Sequence, residues 1–287
     1  MKKLSKILAL LMIAVLAFSV FAGCSSNEEA DTPVTSPDAE GGDEVQTDGE
    51  GEAQTGGEGA VDRIKEAGKL VMLTNAAFPP FEFLGDDNSI VGVDVEIAQA
   101  IADELGVELE IVNMDFDGIV PAIQTGRGDL GVAGITADDT RREQVDFSIN
   151  YVDTAQYIIV SEDNTDIVDA ASLAGKNVGV QRGTTGDIWV TDNTEAEVHR
   201  YGTGPDAGAE LALGRLDAVV IDEMPAQEIA AANEGLKVIE TPLTTEQYAI
   251  AIAKENTDLK EVVDTVLTRL IEDGSIEAWI EEYKAAA

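Results

Sequence analysis

Residues 129–142 read DLGVAGITADDTRR, an apolar run followed by polar residues and two arginines. Residues 130–135 predict a buried strand, and Thr136 with Asp139 predicts a capping box at the start of a helix. A hydroxyl, the N–H groups of a first helical turn and the guanidinium of Arg141 together suit a small carboxylate. This segment leaves open the alternative of a plain strand-to-helix junction whose arginine lies in solvent.

A second segment has the same pattern. GRGD at residues 126–129 precedes the first apolar run, and GRLD at residues 214–217 precedes a run that ends at Asp222. Strands alternate with helices along the chain, which predicts an α/β fold with parallel sheets and ligands at the carboxyl ends of the strands. If two such lobes face each other, Arg141 is placed to hold a carboxylate and Asp222 an ammonium of one small zwitterion.

The N-terminus has the pattern of a targeting segment. Residues 1–23 combine three lysines with an apolar stretch too short to span a bilayer, which predicts a lipoprotein signal peptide. Cys24, the only cysteine, follows Ala-Gly and resembles a bacterial lipobox. We therefore expect a lipid on Cys24 to anchor the chain to the extracellular face of the cell membrane. Ordinary secretion is the alternative.

Residues 24–58 are acidic and lack basic residues, which predicts a disordered tether.

Charge and composition exclude several classes of function. A net charge of −38 argues against nucleic acid as a partner, because phosphate binding needs a basic surface. A single cysteine rules out an internal disulfide, and the single histidine, His199, lies in a charged segment. We expect no metal site and no cofactor.

The later part of the chain predicts how the two lobes are connected. Crossings are expected near residues 151–155 and 241–247, and paired crossings would form a hinge. We therefore expect a discontinuous lobe 1 at residues 61–151 plus 246–287, and a lobe 2 at residues 154–243. Both lobes would be Rossmann-like.

A rigid loop follows the first predicted strand of lobe 1. Pro79 and Pro80 forbid regular structure there and fix Phe78, Phe81 and Phe83 near the end of that strand. Such aromatic residues either cover the core or pack against a ligand. We expect Phe78 to be the exposed one.

Taken together and in order, these motifs resemble the bacterial extracellular solute-binding proteins of the polar amino acid class, family 3, over residues 61–285. The motifs are GVDVEI at 92–97, FDGIVPA at 116–122, AGIT at 133–136 with Arg141, GTT at 183–185, DAV at 217–219 with Asp222, and DG at 273–274. The resemblance implies a type II periplasmic-binding-protein fold with a two-strand hinge. It also implies a monomeric receptor that carries an L-amino acid to the permease subunits of an ABC transporter.

The resemblance also implies a set of ligand-binding residues. They are Asn75, Phe78, Phe116, Gly134, Thr136, Arg141, Gln181, Thr184 and Asp222. The two phenylalanines would sandwich the ligand side chain, Arg141 would pair with the α-carboxylate with help from Thr136, Gly134 and the Thr184 region, and Asp222 would take the α-ammonium. In relatives, the position of Asn75 is often acidic and that of Gln181 can be basic, and these charges recognise charged ligand side chains. Both residues are neutral here. A neutral polar amino acid such as glutamine is therefore favoured.

The same fold carries two other classes of protein. Cyclohexadienyl or arogenate dehydratases act on cyclic carboxylates and need a general base beside the reacting carbon. His199 lies in a surface-like segment, which leaves Asp222 or Glu223 as the candidate base, and we expect a binding protein rather than an enzyme. Sensor modules of this fold are fused to signalling domains, and no segment of this sequence has the pattern of such a domain.

Overall fold

The computed structural model describes residues 59–285. The predicted signal peptide, the lipidation site at Cys24 and the acidic tether lie outside the described residues. The helices are α1 (Ala60–Ala67), α2 (Val93–Leu105), α3 (Ile119–Gln124), α4 (Asp139–Arg142), α5 (Thr185–Asn193), α6 (Gly204–Ala212), α7 (Glu223–Ala232), α8 (Thr257–Glu272) and α9 (Ser275–Lys284). The strands are β1 (Lys69–Thr74), β2 (Phe83–Leu84), β3 (Ile90–Val91), β4 (Glu108–Asn113), β5 (Leu130–Gly131), β6 (Asp146–Phe147), β7 (Val152–Thr154), β8 (Gln156–Ser161), β9 (Asn177–Gln181), β10 (Glu197–Tyr201), β11 (Ala218–Asp222), β12 (Leu236–Ile239), β13 (Glu246–Tyr248) and β14 (Ala251–Ile252). Short 3₁₀ helices occupy Phe116–Gly118 and Ala170–Leu173.

Lobe 1 is built on a five-stranded sheet with the strand order β4-β1-β5-β14-β6. Helix α8 shows how the sequence forms the layer beside it, because Leu259, Val263, Val266 and Leu270 recur at helical spacing and are buried. Helix α8 packs on α1, α2 and α9. Within residues 59–285, no helix is long and apolar enough to cross a membrane.

Lobe 2 is built on a second five-stranded sheet with the order β10-β9-β11-β8-β12. Strand β9 pairs in parallel with β10 and β11. The inner strands are almost continuous apolar runs, and Ala218, Val219, Val220 and Ile221 of β11 are all buried. Strands buried on both faces are typical of α/β sheets covered by helices.

The expectation of wholly parallel sheets is wrong at two strands. Strand β14 runs antiparallel to β5 and β6, and β8 runs antiparallel to β11 and β12. Each of these strands is the first that the chain forms after crossing from the other lobe. The parallel strands end at the cleft between the lobes, so a strand that enters a lobe from the cleft must run the opposite way.

The two lobes are joined by a pair of short strands. Strands β7 and β13 form an antiparallel two-stranded sheet, with Glu246 opposite Thr154 and Tyr248 opposite Val152. The apolar stretch at residues 247–253 is divided between two strands. Its first part belongs to this connecting sheet and its last part is β14 of lobe 1.

The stretch at residues 129–142 differs from its prediction in two respects. Strand β5 covers only Leu130–Gly131, and the chain then follows an irregular path to α4, which begins at Asp139. The predicted capping box at Thr136 is wrong, because the side chain of Asp138 caps the helix by accepting the Arg141 N–H. The Thr136 hydroxyl instead donates to Oε2 of Glu246 at 2.8 Å.

Candidate functional site

A narrow cavity lies where the two lobes meet. It is lined by Asn75, Phe78, Glu82, Phe116, Ala133, Gly134, Thr136, Arg141, Gln181, Thr184, Thr185 and Asp222. All nine residues that the sequence predicted as ligand-binding are among them. Sequence reasoning missed Glu82, Ala133 and Thr185. Within the described chain, no three or more histidine, cysteine or acidic side chains are grouped to hold a metal ion.

Arg141 forms the cationic end of the cavity. Its side chain is buried, and its guanidinium donates to the carbonyl oxygen of Thr136 at 2.6 Å and to that of Gly183 at 3.0 Å. Gly183 belongs to lobe 2, so this second bond joins the lobes. Asp138 lies 3.3 Å from Nε, and the guanidinium lies 5.4 Å from the centre of the Phe116 ring. Burial lowers the pKa of Arg141 from its usual value, although arginine remains protonated.

Asp222 forms the acidic end, on the last residue of β11. Tyr248 donates its hydroxyl to one carboxylate oxygen at 2.7 Å, and Nε2 of Gln156 donates to the other at 2.8 Å. Burial, followed by the nearby negative charge of Glu246, raises the pKa of Asp222 to about 6. At neutral pH the group is therefore mostly ionised, and it is fixed in position by two neutral donors. A buried carboxylate of this kind is well suited to an ammonium group.

Aromatic residues form a wall of the cavity. Phe78 is 6% exposed and packs against Phe81 and Tyr248, with ring centres 5.9 and 6.3 Å away. The expectation that Phe78 is exposed is therefore wrong, since only one side of its ring faces the cavity while the other belongs to the core. Gly134 allows this packing, because a Cβ there would lie 2.7 Å from the Phe78 ring.

Two amides meet across the lobes. Nε2 of Gln181 in lobe 2 donates to Oδ1 of Asn75 in lobe 1 at 3.0 Å, and both residues are buried. Nδ2 of Asn75 donates in turn to the carbonyl oxygen of Met114 at 2.8 Å. The Oε1 atom of Gln181 has no hydrogen-bond partner among the described groups. A ligand donor between the lobes would satisfy it.

The threonines at the start of α5 divide their roles. The Thr184 hydroxyl accepts the Asp187 N–H and donates to the Gln181 carbonyl oxygen, so it is committed to capping the helix. The Thr185 hydroxyl donates to Oε2 of Glu246 at 2.6 Å. Because the Thr136 hydroxyl also gives its proton to Glu246, these two hydroxyls can offer a ligand only acceptor lone pairs.

Glu82 is the most informative residue that the sequence analysis missed. It lines the cavity and is fully buried, yet within residues 59–285 neither oxygen of its carboxylate has a hydrogen-bond partner. Burial, followed by the negative charge of neighbouring Asp94, raises the pKa of Glu82 well above its usual value. Its place in the run Pro-Pro-Phe-Glu-Phe, the only acid in an aromatic segment, was the signal available in the sequence.

Asp94 lies behind Glu82 and is also buried. Its carboxylate accepts the Gly134 N–H at 2.9 Å and the Tyr151 hydroxyl at 2.8 Å. Burial raises its pKa to about 6. Asp94 has two neutral donors and Glu82 has none, so Asp94 is the better stabilised anion of the two. Glu82 is the group that holds a proton more readily, and a hydrogen bond between the two carboxyl groups contributes to this difference.

Comparison with known proteins agrees with this geometry. Residues 70–286 match the family model described as bacterial extracellular solute-binding proteins, family 3. The chain belongs to this family. As a family 3 solute-binding protein, it is an amino acid-binding protein of ABC transporters with the type II periplasmic-binding-protein fold. The predicted family and fold are confirmed.

Its relatives among characterised proteins bind different amino acids. The chain is 31% identical over 229 residues to the L-cystine-binding protein TcyJ of Escherichia coli strain K12, covering 79% of this chain and 86% of the relative. It is 33% identical over 219 residues to the arginine-binding extracellular protein ArtP of Bacillus subtilis, covering 73% and 83%.

Solved structures of similar chains include one with L-arginine bound and one in a holo form. One is an amino acid ABC transporter substrate-binding protein from Streptococcus pneumoniae bound to L-arginine, with a TM-score of 0.76, 39% identity and coverage of 80% of this chain and 99% of that one. Another is holo ArgBP from T. maritima, with a TM-score of 0.72, 43% identity and coverage of 77% and 99%.

Proposed function

We propose that this solute-binding protein closes its two lobes on one L-amino acid with a cationic side chain, arginine above all, and presents it to the permease of an ABC importer. The observation that carries the proposal is the pair of opposite charges in one cavity, Arg141 from lobe 1 and Asp222 from lobe 2. Arg141 pairs with the α-carboxylate. Asp222 takes the α-ammonium, and the Thr136 hydroxyl accepts from the same group.

The preference for a cationic side chain rests on Glu82. A buried carboxylate without a donor is unfavourable unless it is protonated or meets a cation. A guanidinium between the rings of Phe78 and Phe116 would pair with Glu82 and stack on both rings. Asn75 and Gln181 supply further amide oxygens nearby. The sequence favoured glutamine because Asn75 and Gln181 are neutral. Glu82 lines the same cavity, so we propose a cationic amino acid in place of glutamine.

The names of the relatives support the same choice, since ArtP and the two solved proteins are named for arginine or hold it. TcyJ is named for L-cystine, a larger ligand without a guanidinium. Cystine is therefore the competitor that the experiment must include.

Calorimetric titration with matched ligands tests the proposal. L-Arginine should bind with a Kd in the micromolar range or tighter, while L-citrulline, its neutral analogue, should bind about 100-fold more weakly. Agmatine lacks the carboxylate that Arg141 would hold and should give no measurable binding. Equal affinities for arginine and citrulline would overturn the role of Glu82, and stronger binding of glutamine or cystine would overturn the ligand.

A substitution gives the same test from the side of the protein. Glu82→Gln should weaken L-arginine binding by about 100-fold and change L-citrulline binding by less than about threefold. Asp86→Asn removes one charge from an exposed residue of the same lobe and should change neither affinity.

The remaining parts of the function are proposals as well. We propose that a lipid on Cys24 anchors a monomer to the outer face of the cell membrane, and that residues 24–58 tether the folded part. Metabolic labelling with a fatty acid, lost in Cys24→Ser, tests the anchor.

We propose no catalytic step and no cofactor, since the relatives are binding proteins of transporters. Consumption of prephenate or arogenate by the purified protein would contradict this.

A further inference from the structure

Three hydroxyl groups converge on the carboxylate of Glu246. Thr136 and Thr185 donate to Oε2 at 2.8 and 2.6 Å, and Thr244 donates to Oε1 at 2.8 Å. Glu246 is buried, with 9% of its surface exposed. Hydrogen bonds to a buried carboxylate are stronger than hydrogen bonds between two neutral groups.

The three donors come from different parts of the molecule. Thr136 lies in lobe 1, between β5 and α4, and Thr185 is the first residue of α5 in lobe 2. Glu246 is the first residue of β13, one of the two strands that connect the lobes. One carboxylate oxygen therefore holds both lobes at once. In the described state, residues of both lobes therefore meet at this oxygen.

Other hydrogen bonds across the cleft differ from this one. Arg141 donates to Gly183 and Gln181 donates to Asn75 across the lobes, but these donors line the cavity and a bound amino acid would compete for them. Glu246 is not among the residues that line the cavity. Its contacts lie behind the threonines, so they are compatible with a bound ligand.

We propose that Glu246 is a positioning residue that latches the two lobes together through Thr136 and Thr185, and so sets how long a bound amino acid is retained. The part about retention rests on the proposed function, because it requires a ligand that is released when the lobes open. The latch itself is a property of the ligand-free protein. A bond present in the closed state and absent in the open state shifts the equilibrium between them.

The distance between the lobes tests the latch without a ligand. Spin labels on cysteines introduced at Gln99 in α2 and Asp192 in α5, both exposed, report this distance when Cys24 is replaced by serine. Glu246→Ala should reduce the ratio of closed to open molecules by about tenfold, and Glu246→Gln should have an intermediate effect because an amide has one acceptor oxygen instead of two.

Ligand release is the second measurement. Stopped-flow displacement of L-arginine should show a dissociation rate about tenfold faster in Glu246→Ala and an association rate changed by less than about threefold. Thr185→Val should accelerate release in the same way. The double variant should add little to either single variant, because both changes remove the same contact.

Thr244 provides a matched control. Its hydroxyl also donates to Glu246, but Thr244 lies only two residues before it in the same connecting segment. The same hydroxyl accepts the Gln156 N–H at 2.9 Å, and Thr244 forms no bond to lobe 1 through it. Thr244→Val should therefore leave the distance and the release rate within about twofold of the unchanged protein. A purely structural role for Glu246 predicts instead that Thr244→Val and Thr185→Val behave alike.

The two proposals fail in different ways. If no amino acid binds the unchanged protein, the proposed function is wrong, while the distance distribution still decides the latch. If arginine binds and Glu246→Ala alters neither the distance distribution nor the release rate, the latch is wrong and the proposed function stands. Should Glu246→Ala not fold, Glu246→Gln and Thr185→Val carry the same comparison.

Discussion

The two helix-to-strand units that begin at residues 126 and 214 start alike and end differently. Gly126 and Gly214 both have positive φ, of 71° and 69°, as they end their helices. Asp129 then accepts the Val71 N–H at 2.8 Å, and Asp217 accepts the Asn177 N–H at 2.7 Å. Each aspartate thus ties its unit to a neighbouring strand.

Beyond the strands the resemblance stops. After β5 an irregular loop and the short α4 carry Arg141 to the cavity, whereas β11 delivers Asp222 directly as its last residue. The beginning of each unit therefore builds the scaffold, and its end provides the chemistry. Changes at the ends should affect binding, and changes at the beginnings should affect stability.

The largest effect should come from the cationic end. Arg141→Ala removes the only cationic side chain that lines the cavity in residues 59–285, and it should weaken L-arginine binding by at least about 1000-fold in calorimetry. Arg142→Ala is the control, because this exposed neighbour contacts the Phe147 ring and should bind within about twofold of the unchanged protein. Comparable losses in both variants would show that α4 matters as a helix and not through one guanidinium.

The acidic end should give the next effect. Asp222→Asn keeps the shape of the side chain but loses its charge, and we expect about 100-fold weaker binding of L-arginine. Undiminished affinity would place the ammonium elsewhere.

Acidification should weaken L-arginine binding by less than the substitution of Asp222. Asp222, with a pKa of about 6, gains a proton as the pH falls, and Glu82, whose pKa is raised further, must lose its proton to pair with a cation. Both changes act in the same direction, so affinity should fall about tenfold from about pH 7.5 to about pH 5.5.

The stability of the ligand-free protein should rise as the pH falls, whereas the affinity for L-arginine falls. The raised pKa values of Asp222 and Asp94 mean that the folded state binds protons more readily than the unfolded state between about pH 4 and pH 6. The melting temperature of the ligand-free protein should therefore rise as the pH falls through this range. Parallel trends in affinity and melting temperature would contradict this assignment.

The smallest effect should come from the beginnings of the two units. Asp129→Ala removes one hydrogen bond to a strand, and Asp217→Ala removes two, from the N–H and the Nδ2 atom of Asn177. Each change should lower the free energy of unfolding by about 1 kcal/mol in urea titrations. The effect at Asp129 should be the larger, because its bond to Val71 is partly buried while those of Asp217 are exposed. Neither change should alter the affinity for L-arginine beyond about twofold.

Much of this molecule could be predicted from its sequence, because local patterns dictate it. Apolar runs and glycine stops located most strands and helices, and the ordered motifs brought nine lining residues together. The start of α4 was missed because Thr136 is recruited by Glu246, which is remote in sequence. Such competition between a local cap and a distant carboxylate has no signature in the segment itself.

The role of Glu82 was missed for a related reason. An acid between two phenylalanines has several possible locations, and only the fold shows that this one is buried beside Asp94 without a donor. The strand directions of β8 and β14 also depended on where the chain enters each lobe, which periodicity does not encode.

The position of β8 and β14 has a mechanical consequence. Each follows a connecting strand after a gap of one or two residues, and each lies inside its sheet rather than at the edge, between β11 and β12 in lobe 2 and between β5 and β6 in lobe 1. Torque applied at the connecting strands is therefore passed to the interior of each sheet. The lobes should turn as rigid bodies about one axis, with little freedom to slide past each other.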